Sequence, residues 1–338
     1  ALARRRGRRI ALAGGMLIAL VGVAAVIAAA GLRLFPLLLA GFALIGAAQA
    51  ANLQSRFAAT DLATAASRGR DLSLVVWATT IGAVLGPNLV GPGEVLGDAV
   101  GMLALTGPYL FTVVAQLLGV ALYLVALRPD PLLVALRIAG SSADGAATGI
   151  ARTDRPRAAR YAIVAIAGAH GVMVAIMAMT PVHLLHVPGG GDLQLIGLTI
   201  SLHIAGMFAL SPVFGVLADR VGRIPTILVG QALLVASLVT AAIGQDSATA
   251  VTVALVLLGL GWSASTVAGS ALLTESSSEA MRTRRQGRSD LIMSLVGGVG
   301  AIGAGFVLGA IGYGGLALMA LVVVVAVTVL SPYARAAR

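Results

Sequence analysis

Apolar residues run in long, nearly uninterrupted blocks, and the polar positions gather in short stretches between them. A helix needs about 20 apolar residues to cross a bilayer. Ten blocks reach that length, at about 10–31, 34–56, 72–91, 103–127, 161–181, 193–217, 224–243, 249–270, 290–310 and 314–331. The pattern predicts an all-α polytopic membrane protein. Glycines and alanines within the blocks let helix backbones approach closely. Residues 92–99, with Glu94 and Asp98, read as a turn. Residues 128–160, with Pro129, Pro131, Ser141, Ser142, Gly145 and six arginines, read as a basic, partly disordered cytoplasmic linker between a first half, 1–127, and a six-helix second half, 161–338.

The most specific stretch is Gly215-Val216-Leu217-Ala218-Asp219-Arg220-Val221-Gly222-Arg223, which ends one apolar block and opens the next. A small residue in the last helical turn admits a neighbouring helix. The Asp219 carboxylate suits a helix N-terminus, and Arg220 and Arg223 suit anionic headgroups. A degenerate copy, Leu2 to Arg9, opens the chain, with Arg4 where the acid should be and Gly7-Arg8 intact. Gly7 and Gly222 lie 215 positions apart, and Gly69 and Gly287, in similar Gly-Arg contexts, lie 218 apart. A repeat of this length predicts two parallel halves.

The spacing G-x-L-A-D-R-x-G-R resembles the loop signature of the major facilitator superfamily of transporters, and residues 215–223 match it without departure. Gly82-x-x-x-Gly86-Pro87-x-x-x-Gly91 resembles the fifth-helix signature of that superfamily's drug/proton antiporters, with Val90 where glycine is expected. The glycines would form a groove for a neighbouring helix, and Pro87 would bend the outer end. Against a twelve-helix bundle, the repeat leaves too few residues before Gly7 for two spans, so the chain is expected to lack its first two helices. Ala1 in place of a starting Met points the same way.

Composition agrees with a bilayer as solvent: 59% of residues are hydrophobic, 11% are charged, and there is no cysteine. All 23 basic residues are arginine, which excludes a Walker P-loop and lysine chemistry in this chain. The arginines lie between apolar blocks rather than on one patch, which speaks against a nucleic-acid partner. With the start in the cytoplasm, every arginine except Arg33 falls on or near the cytoplasmic side. A multi-pass protein of the plasma membrane follows, a bacterial inner membrane in the first instance, with the linker and arginine-rich loops cytoplasmic. It is expected to act as a monomer.

Within the blocks, Gln49, Asn52 and Arg56 fall on one helical face. They line a cavity, or Arg56 reaches to the headgroups; the sequence leaves both open. His170, Met173 and Met177 share a face that is either a cavity wall or plain packing. Trp262, beside Ser263, Ser265 and Thr266, is the candidate substrate contact on the helix that the resemblance places at the cavity. His203, His170 and Asp61 are the candidates for proton coupling, and Asp61 also suits a structural pair with an arginine. His183 and His186 offer too few ligands for a metal, and no cofactor or catalytic spacing occurs.

The resemblance implies a two-half helical bundle, ten spans here of an expected twelve, working by alternating access. Asp219 would latch onto the start of the third span near Ser73, and Arg4 could not do the same in the first copy. Antiporters of that branch often carry an arginine early in the fourth helix, where this chain has Phe42. The expected function is proton-coupled efflux of small hydrophobic compounds. The alternatives are uptake or facilitated passage of a small metabolite and, in another class, a non-transporting membrane remnant or sensor. The absence of H-E-x-x-H, G-x-S-x-G and an intramembrane carboxylate pair argues against an embedded enzyme.

Overall fold

The computed structural model describes residues 2–64, 66–141, 154–188 and 193–335. Its helices in chain order are α1 (Leu2–Leu32), α2 (Phe35–Asn52), α3 (Ser55–Ala58), α4 (Arg68–Asn88), α5 (Val90–Ala99), α6 (Tyr109–Ala126) and α7 (Pro131–Ser141). They continue with α8 (Pro156–Leu184), α9 (Leu193–Phe208), α10 (Ser211–Arg220), α11 (Arg223–Ile243), α12 (Ala248–Glu275), α13 (Glu279–Val329) and α14 (Ser331–Arg335). No strand occurs among the described residues. Contacts divide the chain into two compact units, Ala1–Leu62 with Ile81–Thr148, and Ala63–Thr80 with Gly149–Arg338.

In the first unit α1 packs along α2, α6 and α7. Residues 92–99, expected to turn, form most of α5, because Pro92 falls in the first helical turn, where its missing N–H costs nothing. The Glu94 carboxylate accepts the backbone N–H of Leu105 at 2.8 Å across the connection that does turn. Part of the expected linker is also helical. The Asp130 carboxylate caps α7 by accepting the N–H of Leu132 at 3.1 Å and binds the N–H of Arg9 in α1 at 2.8 Å. Leu132 and Ala135 are buried as a result. The linker's Ser142, Gly145 and the residues up to 153 lie outside the described ones.

In the second unit α12 is the central helix, in contact with α8, α9, α10 and α11. Its core joins Val172 and Ile176 of α8, Leu234 and Leu238 of α11, Leu255 and Leu258 of α12, and Leu316 and Val324 of α13. The sequence boundary at 127 is not the contact boundary: residues 63–80 cluster with the second unit. The reason is packing, since Leu72 and Val76 are buried against Val267 with Phe208 beside them.

Seven helices among the described residues are long and apolar enough to cross a membrane, and Phe35–Gln49 is a shorter apolar one. This differs from ten in three places. The block at 34–56 breaks after Asn52, α4 begins among charged residues, and the last two blocks are the two helical arms of α13, which run continuously into each other but are separated by the non-helical backbone of Gly312 (φ 72°). Contacts with α8 show that α13 doubles back at the bend. The first arm meets the start of α8 through Arg285 and Asp154, Tyr313 at the bend stacks on His183 near its end, and Tyr333 beyond the second arm returns to Arg157.

Candidate functional site

The turn between α10 and α11 is built by Gly222. Its φ of 111° lies in the region that only glycine enters cheaply, and its carbonyl then starts α11 by accepting Thr226 N–H at 3.2 Å. This aims Asp219 at the start of α4, where its two oxygens accept the backbone N–H groups of Gly69 at 2.9 Å and Arg70 at 2.8 Å. A carboxylate on the first free N–H groups of a helix is a charge-assisted cap that also meets the positive end of the helix dipole. Asp219 is paired as well with Arg223, one turn away. Arg223 continues to Glu275 at the end of α12 (3.3 Å), and Glu275 binds Arg155 before α8 (3.0 Å). Arg220 is exposed and takes no part.

Below this network the helices touch backbone to backbone. A methyl group on Gly69 would lie 2.6 Å from the carbonyl oxygen of Gly215, and one on Gly215 would strike Gly69 and Ser73. Ser211 Oγ donates to the Ser73 carbonyl at 3.1 Å. This charged network therefore joins the ends of five helices, α4, α8, α10, α11 and α12.

The degenerate copy keeps half of this design. Gly7, at φ 83° and ψ 173°, repeats the backbone of Gly222, at φ 111° and ψ 159°. Arg8 after it pairs with Asp61 through Nε at 3.0 Å and Nη2 at 3.4 Å, and donates to Gln54 at 3.0 Å. Both Arg8 and Asp61 are buried. So the arginine after each glycine reaches an acid, Asp61 in one unit and Glu275 in the other. The side chain of Arg4 lies outside the described ones.

The interior of the second unit brings together residues that the sequence singled out separately. Trp262 Nε1–H donates to His170 Nδ1 at 3.1 Å, which puts the proton of the neutral imidazole on Nε2. Phe208 meets the Trp262 ring edge-on, with centroids 5.7 Å apart. Gly297 lies against the His170 ring, so that four helices converge on this aromatic group. Met173 is 3% exposed within the core, with Trp262 in the same cluster. Ser265 accepts from Gln231 at 3.0 Å, while the Oγ atoms of Ser263 and Thr266 are buried without a hydrogen bond. His203 is fully buried; its Nδ1–H donates to the Leu255 carbonyl at 2.8 Å, and Nε2 has no partner.

In the first unit, Gln49 and Asn52 line a cavity of about 70 Å³ with Gln116, Met16 and Gly15. Gln116 is a polar residue the sequence reading passed over. It stands alone in an apolar helix, and only its place in the cavity lining marks it. Arg56 does not join them, because the helix carrying the other two ends at Asn52 and Arg56 belongs to α3, with its guanidinium 4.9 Å from the Phe57 ring centre. Gly82, Gly86 and Gly91 have open space within 4 Å of where a Cβ would lie, among the described residues. The side chain of Pro87 lies outside the described ones, and the helix continues past it to Asn88.

Comparison with known proteins bears on what these features serve. Residues 189–337 match the family model of the Major Facilitator Superfamily. The chain is 38% identical over 314 residues to the MFS-type transporter YddS of Bacillus subtilis strain 168, covering 91% of this chain and 71% of that protein. It is 32% identical over 299 residues to the riboflavin transporter RfnT of Brucella anthropi, covering 86% and 70%. In fold it resembles the human organic anion transporter MFSD10, with a TM-score of 0.72 at 15% identity over 96% of this chain and 77% of the other. The chain belongs to the major facilitator superfamily and is a multi-pass membrane transporter of small molecules.

Proposed function

We propose that this transporter works by alternating access and expels hydrophobic compounds from the cell in exchange for protons. The observation that carries this reading is the cap of Asp219 on Gly69 and Arg70. It is strong when made, it needs no covalent or apolar rearrangement to open, and it sits at a helix-end contact of glycine on glycine. Such a contact suits a latch that forms and breaks once per cycle. Trp262, Phe208 and His170 offer an aromatic, uncharged surface suited to apolar cargo.

Of the proton-coupling candidates, His203 suits the role best. Its Nε2 is buried without a partner, whereas Asp61 is engaged by Arg8 and His170 by Trp262. Cells expressing the protein should extrude a hydrophobic cationic dye, and a protonophore should stop them. Dye retention equal to that of empty cells would refute export. A His203→Ala variant should transport with a flattened pH dependence; a profile identical to wild type would remove His203 from the mechanism.

A second reading, uptake or facilitated passage of a small metabolite, is favoured by the similarity to a riboflavin transporter. Labelled riboflavin entering cells in an expression-dependent manner, without dye extrusion, would select it.

A further inference from the structure

Arg68, the first residue of α4, has no part in the latch. Its side chain is 4% exposed, and among the described residues one of its five N–H donors, on Nη2, is bonded, to the Ala63 carbonyl at 3.3 Å. Nε–H is buried without an acceptor. The carboxylates in its surroundings are those of Glu275 and Asp219, and both are engaged elsewhere: Asp219 with Gly69, Arg70 and Arg223, Glu275 with Arg155 and Arg223. Two further guanidiniums, Arg223 and Arg282, act against its charge. Burial depresses its pKa, Glu275 raises it, Arg223 and Arg282 lower it, and Asp219 raises it. An arginine nevertheless stays protonated, so a largely buried charge is held with no ion-pair partner among the described residues. Removing a buried charge from water without a partner is among the costliest arrangements a protein holds.

We propose that Arg68 is the centre of an oxyanion site that takes a phosphate group. A guanidinium presents paired N–H donors whose spacing matches two phosphate oxygens, which a single backbone carbonyl cannot satisfy. The residue lies at the end of the second unit where α10 stops, α11 starts and α12 ends, the depth at which helices meet lipid headgroups. The phosphate comes either from an anionic lipid headgroup or from a free oxyanion in the adjoining water. The site is independent of the cargo and direction of transport proposed above, and its test needs neither.

The test is a thermal melt of the purified, delipidated full chain in neutral detergent. One arm adds sodium phosphate against sodium chloride at matched ionic strength, and the other adds phosphatidylglycerol against phosphatidylcholine. The expected result is a saturable rise of about 3–6 °C in the melting midpoint. A rise with phosphate assigns a free oxyanion, and a rise with phosphatidylglycerol but not phosphate assigns a headgroup. Arg68→Gln should lose the rise and, with the stranded charge gone, melt no lower than the ligand-free wild type. Arg68→Lys, which keeps the charge without the fork, should need about tenfold more ligand, a loss within the range of one hydrogen bond to a charged group. Arg160→Gln, at an exposed arginine, should retain the full rise. No rise in the wild type, or an equal rise in Arg68→Gln, overturns the proposal.

Discussion

Asp219 accepts the backbone N–H of Gly69 at 2.9 Å across 150 positions of sequence, and the same carboxylate pairs with Arg223. Asp219→Asn keeps the shape but removes the charge that both partners answer, Arg223 being largely buried. Breaking such a pair costs about 3–5 kcal/mol when buried. Transport should fall at least tenfold, whereas Arg4→Ala should keep most of it. Equal losses in a cell-based export assay would count against an asymmetric latch.

Two glycines of α4 should respond in opposite directions. Gly69→Ala forces a methyl group to 2.6 Å from the Gly215 carbonyl and should destabilise by about 1–3 kcal/mol. Gly82→Ala meets open space and should be neutral or gain up to about 1 kcal/mol from helix propensity. Thermal melts of the two purified variants provide the comparison, and a similar loss in both would rule out the close approach.

The buried pair of Arg8 and Asp61 predicts a non-additive cycle. Arg8→Met or Asp61→Leu alone should each cost about 3–5 kcal/mol by removing one half of a buried pair, and the double variant should recover most of it. Additive losses would mean that the two charges do not depend on each other.

The N–H of Trp262 also has a separable role. Trp262→Phe keeps the ring against Phe208 but leaves His170 Nδ1 without that donor, a loss of about 1 kcal/mol in stability. If the pair lines the cargo path, KM should rise several-fold while the melting midpoint moves by only a few degrees. An unchanged KM would restrict the pair to helix packing.

Asp154 gives a pH dependence with a definite sign. Hydrogen bonds from Arg285 at 2.6 and 2.9 Å, and then from the Ser278 N–H at 3.1 Å, hold its carboxyl below the usual range, while its small burial opposes them. A depressed folded pKa stabilises above the unfolded value of about 3.9 and loses that contribution as pH falls through the folded value. The melting difference between wild type and Asp154→Asn should be full at pH 6 and fade below pH 4. A constant difference across that range would exclude the linkage.

Much of this protein was legible in its sequence because the bilayer imposes a local rule. Runs of apolar residues must be helices, since a span has no water to satisfy its backbone, and residues 161–181, 224–243 and 249–270 fall inside α8, α11 and α12. Gly7 and Gly222 could be paired from their neighbours alone, since a positive φ before an arginine is a property of a few consecutive residues. Where a helix stops was harder, because a single break decides it: Arg56 left the face of Gln49 and Asn52 when α2 ended at Asn52. Only tertiary structure decided which charges and polar groups meet. Arg8 finds Asp61 over 53 positions, Trp262 finds His170 over 92, and Arg68 makes no ion pair among the described residues. Hydropathy depends on a residue and its near neighbours, whereas a hydrogen bond depends on positions fixed by the packing of whole helices, and no local pattern carries that information.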